Sequence, residues 1–100
     1  MPFGRITRVT FDPSRYDDMM AVAINIDFSG WSGLRALNVT RIAEDRLGIA
    51  AGYNDKAAAD ANAEKARAAL GTMAEFMTEA PFVREGEIFW GFEGDQSLVP

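Results

Sequence analysis

The 100-residue chain is long enough for one domain with a small core, and a composition of 48% apolar and 25% charged residues excludes a disordered polymer. A formal charge of -5, with ten scattered Lys and Arg residues, excludes the basic surface that phosphate binding needs, so no nucleic-acid partner is expected. Cys and His are both absent, which removes disulfides, thiol chemistry, the commonest general base and the commonest transition-metal ligand.

Residues 6–11 (Ile-Thr-Arg-Val-Thr-Phe) are rich in β-branched side chains and predict a strand. Asp12-Pro13-Ser14 stops it. Ser14 is the expected cap of a helix over residues 15–26, with Asp17 three residues on as its capping-box partner. Asp17 and Asp18 suit the positive end of the helix dipole. Tyr16, Met19, Met20, Ala23 and Ile26 then form one apolar stripe at helical spacing. Residues 27–33 hold two glycines and two serines and predict a loop, one that also carries Phe28 and Trp31.

Residues 34–42 alternate with apolar side chains in both sets, and residues 43–46 make a hairpin loop. In the next strand Leu47, Ile49, Ala51 and Tyr53 share one face. Gly48, Ala50 and Gly52 make the other, small enough for a helix or another backbone to come close. Asn54 or Asp55 caps a helix over residues 56–70, where alanine supplies the highest helix propensity. Ala59, Ala63, Ala66 and Leu70 lie on one side of it. Gly71 ends or bends this helix. Residues 72–79 continue as a short helical piece, with Met73, Phe76 and Met77 as its apolar side and Pro81 as its stop. Residues 87–92 predict the last strand, with Ile88, Trp90 and Phe92 on one face and Glu87, Phe89 and Glu93 on the other. Trp90 and Phe92 are expected in the core or an interface. Residues 94–100 are expected to be a tail, or an arm that reaches a partner.

This βαββαβ order predicts an α+β, ferredoxin-like domain: a four-stranded antiparallel sheet with helices on one face, its core over about residues 5–93. Two helices cover only one face of four strands. Because the strands are apolar on both faces, a second copy of the chain is the expected cover, in an isologous homodimer. No apolar stretch approaches the roughly 20 residues that cross a bilayer, and no basic-then-apolar leader opens the chain. A soluble cytoplasmic protein without a membrane partner is therefore expected.

The element order, the short helix ending at Ala80-Pro81 and the following Glu85-Gly86-Glu87-Ile88-Phe89-Trp90 resemble the dimeric α/β-barrel superfamily. Within it the chain most resembles the small antibiotic-biosynthesis-monooxygenase-like (ABM-like) proteins. The Arg8-Val9-Thr10-Phe11-Asp12-Pro13 opening and the Leu47-Gly48-Ile49-Ala50-Ala51-Gly52-Tyr53 strand fit that pattern. The likeness is architectural, since the branch has no short diagnostic motif. It implies two ferredoxin-like protomers whose sheets meet face to face as a barrel. The superfamily includes cofactor-free monooxygenases of polycyclic phenols, haem-degrading enzymes, isomerases and proteins of unknown role, so fold does not settle function. The haem-degrading pattern expects an Asn on the first strand, then a Trp and a His in the second helix. This chain has Thr7 and Arg8 on that strand, an alanine run in the helix and no His. The quinone-forming monooxygenases use Trp, Tyr, Asn and Arg around a pocket between sheet and helices. Those residue types are present, although the helix after Tyr53 holds no Trp.

The catalytic candidates are Asn38, Tyr53 and Arg8. A mid-strand Asn38 amide can orient a ligand oxygen, or be satisfied across the dimer or by buried water. Tyr53, at a strand end, can donate a proton or serve as an amphipathic edge residue. Arg8 can stabilise a phenolate or pair with Glu87 or Glu93. The substrate-binding candidates are Trp31, Met73, Phe76 and Met77. Trp31 makes a pocket lid or plugs the core or dimer rim, and the other three line an apolar pocket or simply fill the core. The expected function is small-molecule binding, with cofactor-independent oxygenation of a hydrophobic phenolic compound as its activity. The alternative is a non-catalytic ligand-binding or interaction module of the same fold. No cofactor and no metal are expected.

Overall fold

The computed structural model describes the backbone of residues 1–93 and 96–98 and the side chains of residues 1–91. Strand β1 (Phe3–Thr10) leads through a 3-10 turn (Pro13–Arg15) into α1 (Tyr16–Ala23). Strands β2 (Leu34–Ala43) and β3 (Arg46–Tyr53) form a hairpin. Helices α2 (Lys56–Ala61) and α3 (Ala63–Gly71), a 3-10 turn (Ala74–Phe76) and β4 (Phe82–Glu87) follow. The sheet order is β2-β3-β1-β4 with antiparallel neighbours throughout, so β1 is central and β4 closes its free edge. This is the expected ferredoxin-like α+β arrangement.

Strand parity separates two faces. Phe3, Arg5, Thr7 and Val9 of β1 point toward the helices with Leu47, Ile49, Ala51 and Tyr53 of β3. One core cluster joins Val9, Phe11 and Leu47 to Met19 of α1, Met73 and Phe76. A second joins Phe3, Ala51 and Tyr53 to Ala59 of α2. The opposite face carries Ile6, Arg8, Ala50, Asn38, Ile42 and Phe82. Among these Ile6 is 64%, Ile42 56% and Phe82 42% exposed. At one end of that face the chain after β4 crosses closely. A Cβ on Gly4 would lie 3.3 Å from Ile88 Cγ1, and one on Gly52 would lie 3.7 Å from Ile88 Cδ1. The small face expected of β3 is therefore used for a close approach by the chain itself.

Several boundaries differ from the sequence expectations. The last sheet strand is residues 82–87, not 87–92, and β1 explains why. Its ladder with β4 runs from Arg8↔Phe82 to Phe3↔Glu87, and Ile88 N then donates to Pro2 O at 2.8 Å. β1 begins at Phe3, so no residue of it lies opposite the chain after Ile88. Phe89 and Trp90 are 84% and 62% exposed, so Trp90 is outside the core of the protomer. The Phe92 and Glu93 side chains lie outside the described residues, as do 94, 95, 99 and 100 of the expected tail. Within that tail, β6 (Gln96–Leu98) pairs with β5 (Gly91–Glu93) as a small separate hairpin. Ser14 does not cap α1, which starts from Arg15 without a side-chain cap, and the 3-10 turn before it is capped by Asp12. Asp12 Oδ1 accepts from Ser14 N at 3.0 Å and from Ser14 Oγ at 2.7 Å, which engages the expected capping hydroxyl. The alanine helix begins at its expected Asp55 cap, whose Oδ1 accepts from Ala58 N at 2.8 Å, but it breaks at Asn62.

Gly33 joins the loop to β2 with φ at +83°, and a Cβ there would sit 2.5 Å from Ala58 Cβ. Gly33→Ala is expected to destabilise by about 2 kcal/mol or more in urea unfolding, from left-handed backbone strain plus overlap. Gly71→Ala, where nothing lies within 4 Å, is expected to be neutral or to stabilise by up to about 1 kcal/mol. Equal effects would show that neither φ nor the Ala58 contact matters.

Candidate active site

A cavity of about 110 Å³ lies between the helix-facing side of the sheet and the layer formed by α1, α3 and loop 27–33. Its walls are almost wholly apolar. Leu37, Val39 and Ile49 form the sheet side, and Met20, Ile26 and Leu70 form the helix side. Phe28, Trp31 and Met73 complete the lining. The small alanines of α3 leave this space open, since Ala66 and Ala69 reach the cavity where larger side chains would fill it.

The polar part of the lining comes from neighbouring strands: Arg5 and Thr7 of β1 and Tyr53 of β3. Arg5 is buried, yet its guanidinium is well supplied with acceptors. Nη1 donates to Tyr53 Oη at 3.0 Å, and Nη2 donates to Ala59 O at 3.2 Å and to Glu85 Oε2 at 3.3 Å. Tyr53 is 1% exposed. Because its oxygen accepts from Arg5, its own proton is left to be donated. Burial pushes the Tyr53 phenol above its ordinary pKa, the charge and hydrogen bond of Arg5 pull it partly back, and Glu85 adds a smaller upward push. At neutral pH the site thus presents a neutral phenol donor beside a paired cation. An oxygen atom on an otherwise apolar molecule is what such a wall can receive.

The sequence-derived candidates divide by strand face. Tyr53, Trp31 and Met73 line the cavity together. Phe76 is buried in the core cluster that includes Met73, and Met77 packs against that cluster. Asn38 is exposed on the other face of the sheet, near Thr40 Oγ1 at 3.5 Å, so the buried amide expected at mid-strand is not found. Arg8 is also on that face, with its guanidinium 4.8 Å from the centre of the Phe82 ring. Arg5 and Thr7 were not singled out in the sequence. The signal for Arg5 was its odd-numbered parity with Val9 and Phe11, which puts a charge on a core face.

No protein-family model and no curated protein matches this sequence. The fold does match solved structures. A protein of unknown function from Nitrosomonas europaea aligns at TM-score 0.75 and 17% identity over 95% of this chain and 96% of that one. A candidate antibiotic biosynthesis monooxygenase from Caulobacter crescentus aligns at 0.75 and 16%, over 87% and 89%. Another from Chloroflexus aurantiacus aligns at 0.73 and 15%, over 94% and 98%. The chain therefore shares the ferredoxin-like fold of these structures, as its element order implied. At these identities the likeness is one of fold.

The raised Tyr53 pKa has a consequence for stability. The folded state holds this proton more tightly than the unfolded chain, so the contribution is complete below the ordinary phenol pKa of about 10 and is lost as pH rises through the higher folded value. Urea unfolding is expected to show stability declining above about pH 10, and Tyr53→Phe to flatten that decline. At pH 7 the same variant should cost about 1–3 kcal/mol, because a buried Arg5 donor loses its acceptor. The same alkaline slope in both proteins would assign it to another group.

Proposed function

We propose that this chain is a small-molecule-binding domain, active as a homodimer, whose cavity takes a one-ring phenolic compound and supports its cofactor-independent oxygenation. The observation that carries this reading is the apolar cavity that meets the Arg5–Tyr53 pair. An engineered apolar cavity of roughly 150 Å³ accepts benzene, so a space of about 110 Å³ suits one small ring better than a polycyclic one. The phenol oxygen would accept from Tyr53, and the nearby Arg5 would favour the phenolate from which electrons leave. Dioxygen is the oxidant: one atom bonds to a ring carbon to give a quinone, and the other leaves as water with two hydrogens from the phenol. The protein need only bind, desolvate and orient the ring. Trp31 and Met73 supply apolar walls, while Phe76 and Met77 support Met73 from the core.

The exposed Ile6, Ile42 and Phe82 favour a second copy as the cover of the other sheet face. Asn38 and Arg8 lie on this face, so in this reading they act at the contact between protomers. One observation favours the non-catalytic alternative: Arg5 already has three acceptors without a ligand. In that case the cavity holds a small molecule without turning it over.

Binding of 4-fluorophenol followed by fluorine NMR tests the site, and an oxygen electrode with 4-methoxyphenol tests the chemistry. Binding that weakens about tenfold in Tyr53→Phe, a loss of about 1.4 kcal/mol, is expected together with oxygen uptake. Binding without uptake would favour the non-catalytic module, and no binding would remove both. Light scattering is expected to give about twice the 11.0 kDa chain mass, and Ile6→Lys, beside Arg8 and Arg84, to give monomer. A wild-type protein that is monomeric at high concentration would remove the dimer.

A further inference from the structure

A second, more open space of about 470 Å³ lies behind the cavity, on the outer side of α1 and α3. Val22, Asn25, Asp27, Lys65 and Thr72 line it. Three residues line both spaces: Ile26, Trp31 and Ala69. Of these Ile26 and Trp31 are carried by the segment between α1 and β2, Trp31 is the largest, and its ring meets Phe28 edge-on at a centroid distance of 4.9 Å. The indole thus faces both an inner cavity sized for one ring and a more open outer groove.

The backbone on each side of Trp31 is held by a side chain from the helical layer. Lys65 Nζ donates to Gly30 O. Asn62 Nδ2 donates to Ser32 O at 2.8 Å and to Ala58 O at 2.9 Å. Asn62 and Lys65 are three residues apart, so they project from adjoining positions on the helical layer. Asn62 is 2% exposed and stands where the alanine helix breaks. Its bond to Ala58 satisfies the helix, whereas its bond to Ser32 serves the loop. The two clamps differ in character: Asn62 is buried, while Lys65 makes its contact at the surface.

Building on the ligand reading above, we infer that Trp31 is the residue that limits the site to one-ring phenols, with Asn62 and Lys65 as its positioning residues. Replacing or releasing Trp31 joins the inner cavity to the outer groove, and the joined space takes fused two-ring phenols.

The experiment compares phenol and 2-naphthol affinities by calorimetry in wild type, Trp31→Leu, Asn62→Ala, Lys65→Met and Lys65→Arg. The chain has two tryptophans, so Trp90→Phe leaves Trp31 as the sole reporter for acrylamide quenching. Wild type is expected to prefer phenol, and Trp31→Leu to shift the ratio toward 2-naphthol by about tenfold or more, the scale on which apolar pockets discriminate size. Asn62→Ala and Lys65→Met are expected to shift it the same way by a smaller factor and to raise quenching of Trp31, and Lys65→Arg to restore both. A merely structural Asn62 would lower the melting temperature and leave both ratio and quenching unchanged, which overturns its positioning role. An unchanged ratio in Trp31→Leu, or a wild type that binds 2-naphthol as well as phenol, overturns the size limit while phenol binding still stands. Absence of binding by both probes in every variant overturns the size limit and the ligand site together.

Discussion

A guanidinium buried on the central strand organises this domain. Arg5 sits on the core face of β1 and reaches a phenol on β3, a carbonyl at α2 and a carboxylate on β4. A charge in that position is costly unless it is paired and hydrogen-bonded, so each partner must be present at once. This requirement couples three separate elements to β1. It also explains why the cavity has chemistry at all. Apart from Arg5 and Tyr53, every large side chain around it is apolar, and a fully apolar cavity would offer shape without direction. With Glu85 half-exposed, the pair has one end in the interior and one near water.

Much of the architecture was legible because it follows from period and punctuation. Alternation in residues 47–53 defined β3, alanine and Asp55 defined the start of the second helical segment, and the order of elements pointed to the ferredoxin-like sheet. What escaped was information held in partners distant in sequence. The extent of β4 depends on where β1 ends, and Ile88, Trp90 and Phe92 alternate like strand residues whether or not a neighbour exists to pair with them. The break at Asn62 depends on a carbonyl 30 residues earlier, at Ser32. Ser14 is lost as a helix cap because its own N–H and hydroxyl both donate to Asp12 in the 3-10 turn.

The site divided along similar lines. Tyr53, Trp31 and Met73 were legible as aromatic or adaptable side chains at element ends and loops, and they do share the cavity. Asn38 and Arg8 were chosen as polar residues within strands, and parity placed them on the other face. A shift of one residue along a strand reverses such an assignment, and a single sequence gives little with which to resolve it. Arg5 lies outside the β-branched run of residues 6–11, whereas β1 extends back to Phe3 and brings it onto the core face. The alanines of α3 were legible as a small face, but only packing against a sheet at fixed distance turns small side chains into empty volume.

The strand order also bears on how the chain is made. Of the four strands in the main sheet, the first synthesised is central, and one of its two neighbours is the last of the four to appear. Arg5 and Glu85 are 80 positions apart, so their contact closes a long loop of chain. On a ribosome, β1 can pair with β3 and receive the helices while its other edge waits for β4. That waiting edge is an unpaired row of backbone donors and acceptors, open to strands of neighbouring nascent chains. Closure over such a distance is slow relative to local helix formation. Arg8 on β1 places a positive charge beside that edge, so two such edges would bring like charges together.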